Sequence, residues 1–196
     1  MSGTLQVGGV TLATHTESPS TLTLGSGVAF PAGTIVQTKV VKDSTARGAF
    51  TTIGDNYTGI SISFDNNLQN TNSNVLIESS LEVDCDNDIG LGLTWATSSS
   101  TLSGNKIGVD GSTVNNLTQG YVASKDTASR GGHFSFMAYD SNITSTTPKT
   151  YYLWLINPVG NSFNINTNGS LGQTQNLISY WVGAATSVFK LIEIAG

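Results

Sequence analysis

The stretch "EVDCDNDIG" sets Asp84, Asp86 and Asp88 at alternate positions. On an extended strand all three carboxylates share one side, which is the oxygen donor set that a hard cation such as calcium takes. The spacing departs from an EF-hand loop, with Gly90 one place late and Trp95 where the bidentate Glu belongs. Acidic residues in a turn after a strand need no metal, so no metal and no other cofactor is expected. Asp84, Asp86 and Asp88 are the candidate ligands if a cation binds. The two histidines are His15, near the N-terminus, and His133, beside Gly131 and Gly132 at a strand start. A hydrolytic triad would have to use His133, yet the chain has neither a G-x-S-x-G elbow nor an H-E-x-x-H pair. Without a recognisable base, nucleophile or cofactor loop, the reading is a protein that is not an enzyme.

The other motifs carry less chemistry. N-x-S/T sequons begin at Asn56, Asn116, Asn142 and Asn168, in a chain so rich in Asn, Ser and Thr that chance supplies them. Trp95, Trp154 and Trp181 stand in apolar strand-like stretches and are expected in the core, which leaves Tyr121 as the aromatic for a glycan contact. The lone Cys85 has no partner for a disulfide and reads as a core filler.

Composition narrows the class of partner. Charged residues make up 11% of the 196, with 8 Lys and Arg against 13 Asp and Glu. There is no basic cluster to follow a phosphate backbone, so nucleic acid is excluded as a partner. No apolar run approaches the roughly 18 residues of a membrane span, and "MSGTLQVGGVTL" lacks a cationic segment before an apolar one, so neither membrane insertion nor a cleaved signal is expected. About 200 residues can bury roughly 70% of their unfolded surface without a disulfide.

The elements that must hold these residues are strands. Period-two alternation runs through "TGISISF" (Ile60, Ile62, Phe64) and "IGLGLTW" (Ile89, Leu91, Leu93, Trp95), between clusters of Gly, Asn, Asp and Ser. Further strands are expected over 34–41, 74–83, 132–139, 151–156, 162–167, 177–182 and 187–194. Sustained helical periodicity is absent, so the fold class is all-β, a jelly-roll-like antiparallel β-sandwich over residues 35–196. Residues 1–34 read as an extended N-terminal arm for oligomer or capsid attachment, because two short apolar pieces cannot build a core alone. The tract 97–130 is long for a loop and is expected to cover the rim of the sheet, with a strand-like piece near Lys106–Val109.

Two of the strands are apolar on both faces. In the closing "SVFKLIEIAG", Val188, Ile192 and Ile194 form one row, and Phe189 and Leu191 the other. A sandwich leaves one face of each sheet wet, so something must cover the second face of this strand and of "YYLWLI". A second subunit is the simplest cover, with Tyr152, Trp154, Phe189 and Leu191 near a symmetry axis. The alternative is the arm folding back over that face.

The terminal "TSVFKLIEIAG" resembles the "STxTLxEIxG"-like closing strand of a group of tailed-bacteriophage virion surface proteins, tail-fibre-like or capsid-decorating. "YDSNITSTTPKTYYLWL" and "SFNINTNGS" are similar to that group's polar-turn and Asn-rich strand steps. The opening "MSGTLQVGGVTLAT" with "GSGVAFPAGTIVQ" is similar to its short arm and Pro-Ala-Gly turn. The resemblance implies a homotrimeric jelly-roll-like head on an N-terminal arm, located in the virion and assembled in the host cytoplasm. It carries no catalytic residues. The expected function is a capsid decoration (cement) protein on the outer surface of the particle, with Leu5, Val7, Val10 and Leu12 making inter-subunit contacts or contacts to the capsid lattice, and the phage major capsid protein or other virion proteins as partners. No shaft follows the arm, which favours cement over the alternative, a short tail or head fibre whose head binds a host-surface receptor or glycan.

Overall fold

The computed structural model describes residues 3–7, 10–17, 20–24, 29–85, 91–107, 120–122, 130–141, 143–158, 160, 162–166 and 186–196. Its elements are β1 (Gly3–Val7), β2 (Val10–Glu17), β3 (Ser20–Leu24), β4 (Ile35–Asp43), β5 (Arg47–Phe50), β6 (Gly54–Ile62), β7 (Asn74–Cys85), β8 (Leu91–Ala96), β9 (Gly120–Val122), β10 (Arg130–Asp140), β11 (Tyr151–Asn157), β12 (Phe163–Ile165) and β13 (Ser187–Ile194). The protein is all-β. The short β5 and β9 have too few alternating residues to stand out in the sequence, and the strand expected over 177–182 lies outside the described residues.

The segment expected as an extended arm holds an antiparallel meander, β1-β2-β3, which among the described residues is hydrogen-bonded to no strand of the other sheets. At its far side the chain is fastened to its own end: Gly33 N–H donates to Ala195 O at 2.8 Å, and Ala195 N–H to Thr34 O at 2.9 Å. The boundary near residue 34 is thus a backbone junction, where β4 starts beside the last strand.

Two sheets face each other beyond that junction. In one, β4, β13, β7 and β10 lie side by side, and β12 and β5 continue the β13 and β4 positions along the upper part of β7. The other runs β6-β11-β8-β9. Pairing is nested in sequence: β4 with β13, β6 with β11, β7 with β10 and β8 with β9, all antiparallel. Where β13 gives way to β12, Asn166 spans the seam. It sits at φ 56°, a left-handed conformation that Asn tolerates better than most residues. Its Nδ2 donates to Asp43 O at 2.8 Å, while Ser187 Oγ donates to its Oδ1 at 2.7 Å.

The core lies between the sheets. From one side come Val75, Ile77, Leu81, Phe136, Phe163, Phe189 and Leu191, and from the other Ile60, Ile62, Leu93, Trp95, Leu153 and Leu155. Trp95 meets Phe189 edge-on with ring centroids 5.4 Å apart, and its indole N–H donates to Ser79 Oγ at 2.8 Å. An enclosed Trp keeps its one polar atom satisfied in this way.

This packing corrects the expected subunit contact. Phe189 and Leu191 are completely buried inside the single chain, because their row on β13 points at Trp95 and the facing sheet. Tyr152 and Trp154 stand on the outer face of the β6-β11-β8-β9 sheet, in a separate cluster with Ala96, Leu102, Tyr57 and Ile156. The four residues therefore do not form one patch. The second face of β11 is covered from within: residues 97–107 fold over it, Trp154 Nε1–H donates to Ser98 O at 2.8 Å, and Leu102 is buried against the indole. A bridge between Ala96 and Lys106 and the bond from Ile107 N–H to Trp95 O (3.1 Å) hold the loop down.

One buried phenol gives the fold a pH response. Tyr151 donates its O–H to Asp140 Oδ2 at 3.1 Å, and Lys149 Nζ reaches the same oxygen at 3.0 Å. Burial raises the Tyr151 pKa well above the ordinary phenol value, and the Asp140 charge and hydrogen bond push the same way. The folded pKa lies above the unfolded one, so the contribution is intact below about pH 10 and is lost as pH rises past it. The urea midpoint is expected to fall above that pH, with Tyr151→Phe removing part of the fall.

Candidate interaction surface

With β11 covered by its own loop, β13 remains the strand with a second apolar face. Cross-strand partners share a face of an antiparallel sheet, so the register gives the outer face of β4-β13-β7-β10 directly. Its central row is Val40, Lys190, Glu78 and Met137. The rows beside it are Lys42, Val188, Ser80 and Ser135, and Thr38, Ile192, Leu76 and Tyr139.

A solvated sheet face is normally dominated by polar residues, and this one is not. Met137 is 64% exposed, Val40 55% and Tyr139 44%. Val188 and Leu76 are half-buried, and Ile192 is sheltered by its surroundings. The charges in the middle cancel: Lys190 Nζ lies 3.3 Å from Glu78 Oε2, with both side chains about two-fifths exposed. A groove of about 450 Å³ opens on this face, lined by Val40, Glu78, Ser80, Met137, Val188 and Lys190 among others.

Only part of this surface was legible. The row Val188, Ile192, Ile194 is apolar in the sequence, and the structure places it outward. Val40, Met137, Tyr139 and Glu78 were missed, since which β4, β7 and β10 residues join that row depends on register. A signal existed in "GHFSFMAY", where Met137 and Tyr139 interleave with Phe136 and Ala138 to give a second apolar row.

The other candidate residues are dispersed. Asp84 lies in β7, paired with Gly131 and Asn164, while Asp86 and Asp88 lie outside the described residues. Among the described residues no group of three His, Cys, Asp or Glu is placed to hold a metal ion. His133 pairs with Glu82 in the β10-β7 ladder, and His15 with Gly3 and Leu22 in the meander. Cys85 ends β7 opposite Arg130 and Phe163. Of the aromatics, Trp95 and Trp154 are buried and Trp181 lies outside the described residues.

In the meander, Leu5 is 60% and Val7 62% exposed. Leu5 pairs with Ala13, and Thr4 with Thr14. Val10 and Leu12 both lie in β2, with Val10 paired to Val7. Among the described residues, exposed apolar side chains thus stand on two sheets, Leu5 and Val7 in the meander and Val40, Met137 and Tyr139 on the β4-β13-β7-β10 face. Comparison with protein-family models and with curated proteins finds no match to the chain.

Proposed function

We propose that this chain is a structural protein of a tailed-bacteriophage virion, a capsid decoration protein whose jelly-roll head is held on the outside of the particle by the N-terminal meander. The observation that carries the reading is that meander: a sheet with apolar Leu5 and Val7 exposed, sharing no ladder with the head among the described residues. Exposed apolar side chains on a small three-stranded sheet are stabilised when something covers them, and an attachment module is covered by what it grips. The nested pairing of β4 to β13 supports the jelly-roll topology, in which a folded ribbon of eight strands rolls into two sheets. The resemblance at both chain ends supports the virion assignment and implies three copies in each decorating unit.

The test is cosedimentation with particles of the phage that encodes the chain. Wild-type protein is expected to pellet with the particles, and Leu5→Asp with Val7→Asp to reduce bound protein at least about tenfold, since each charge would have to be desolvated in an apolar contact. These side chains lie away from the sandwich core, so its thermal unfolding is expected to stay unchanged. Protein that ignores particles and binds host cells would move the assignment to a fibre.

A further inference from the structure

We propose that the outer face of the β4-β13-β7-β10 sheet is a two-fold self-association surface, whose occupant is the same face of a second copy of this chain. The inference concerns a different surface from the meander and does not depend on the virion reading.

The argument rests on the central row. Read across the strands it is Val40, Lys190, Glu78, Met137: apolar, positive, negative, apolar. A two-fold axis lying between the sheets and along the strands turns this row end for end. Val40 then faces the partner's Met137 and Lys190 faces the partner's Glu78, with the same two contacts repeated in reverse. An isologous interface demands this pattern, in which residue i meets j and j meets i. In the row beside it, half-buried Leu76 comes opposite Ile192 of the second copy, which is already buried in its own chain and adds little to the contact.

Geometry permits the contact. Two sheets stack about 10 Å apart with strands within about 30° of each other, which suits an axis running along the strands. Four strands about 4.8 Å apart and about 8 residues long present roughly 500 Å² per copy. Two copies together bury roughly 1,000 Å², the lower bound for a specific interface. The Lys190–Glu78 pair, with both side chains about two-fifths exposed, hydrates the middle of the patch in a single copy. On pairing, each charge gains a second opposite neighbour, which offsets part of the lost hydration.

The experiment uses full-length protein in sedimentation equilibrium. Glu78→Lys makes the row positive at both centres, and Lys190→Glu makes it negative at both. Each variant alone is expected to show half the wild-type mass, with self-association weakened at least about tenfold. An equimolar mixture of the two is expected to restore the wild-type mass, because lysines of one copy then face glutamates of the other. Met137→Asp, at a well-exposed position, serves as a second disrupting variant, expected to halve the mass with its unfolding midpoint unchanged. Equal mass for wild type and all three variants would overturn the proposal, as would a mixture that fails to restore what the single variants lost. Particle binding is scored separately by cosedimentation, so a protein that binds particles without the mass change removes the two-fold contact and leaves the virion reading standing.

Discussion

Glu193→Ala is expected to lower the unfolding free energy by about 3–5 kcal/mol, because it removes a fully buried carboxylate that organises one end of the sandwich. Glu193 is 0% exposed and accepts from Gln37 Nε2 at 2.7 Å, from Gln69 N–H at 2.8 Å and from Ser73 Oγ at 2.6 Å. These partners belong to the first strand of the sandwich and to the loop between β6 and β7, so the carboxylate ties both to the last strand. Alanine would leave the buried Ser73 hydroxyl without its acceptor and take one acceptor from the part-buried Gln37 Nε2 and Gln69 N–H, and hydrogen bonds to a charged group are worth about 1.5–3 kcal/mol each before such losses overlap. Glu193→Gln retains the shape but replaces one acceptor oxygen with a donor, and should cost less, about 1–3 kcal/mol. Equilibrium urea unfolding of the three proteins checks this. Equal stability of wild type and the Ala variant would show that water replaces the carboxylate at no cost.

Phe189→Ala is the second large effect, with an expected loss of about 3–5 kcal/mol, typical of an aromatic removed from a close-packed core. The ring is fully buried and meets Trp95 at right angles across the two sheets, so truncation opens a cavity that the facing β-strands cannot easily close. This variant also separates core from interface. Residue 189 faces inward, and its neighbours Val188 and Lys190 face outward, so Phe189→Ala should lower stability while leaving the mass of the folded protein unchanged. Met137→Asp should do the reverse. Near-ultraviolet circular dichroism offers a second readout, since the Trp95 signal depends on the edge-on ring. A Phe189→Ala protein of full stability but reduced mass would place residue 189 in a subunit contact.

The contrast between residues 188 and 189 shows what a sequence can and cannot decide. Alternation made "TGISISF", "IGLGLTW" and "SVFKLIEI" strands, because side chains project to opposite sides at every step and a half-buried sheet imposes that period on composition. Low charge and many Ser, Thr, Asn and Gly residues likewise left no helical periodicity to compete. From the residues alone it followed that β11 and β13 are apolar on both faces and that each second face needs a cover. What covers them was not local information. For β11 the cover is residues 97–107, with Leu102 and the Ser98 carbonyl closing on Trp154, a match between segments over 50 residues apart. For β13 the inward row was chosen by Trp95 on β8, and the outward row found its neighbours through the register of β4, β7 and β10. A shift of one residue in any of those pairings would exchange the two rows. The amino-acid sequence by itself determined an all-β chain with two double-faced strands; only the tertiary structure decided which row became core and which became surface, because burial is a property of packed sheets and not of the strand that carries it.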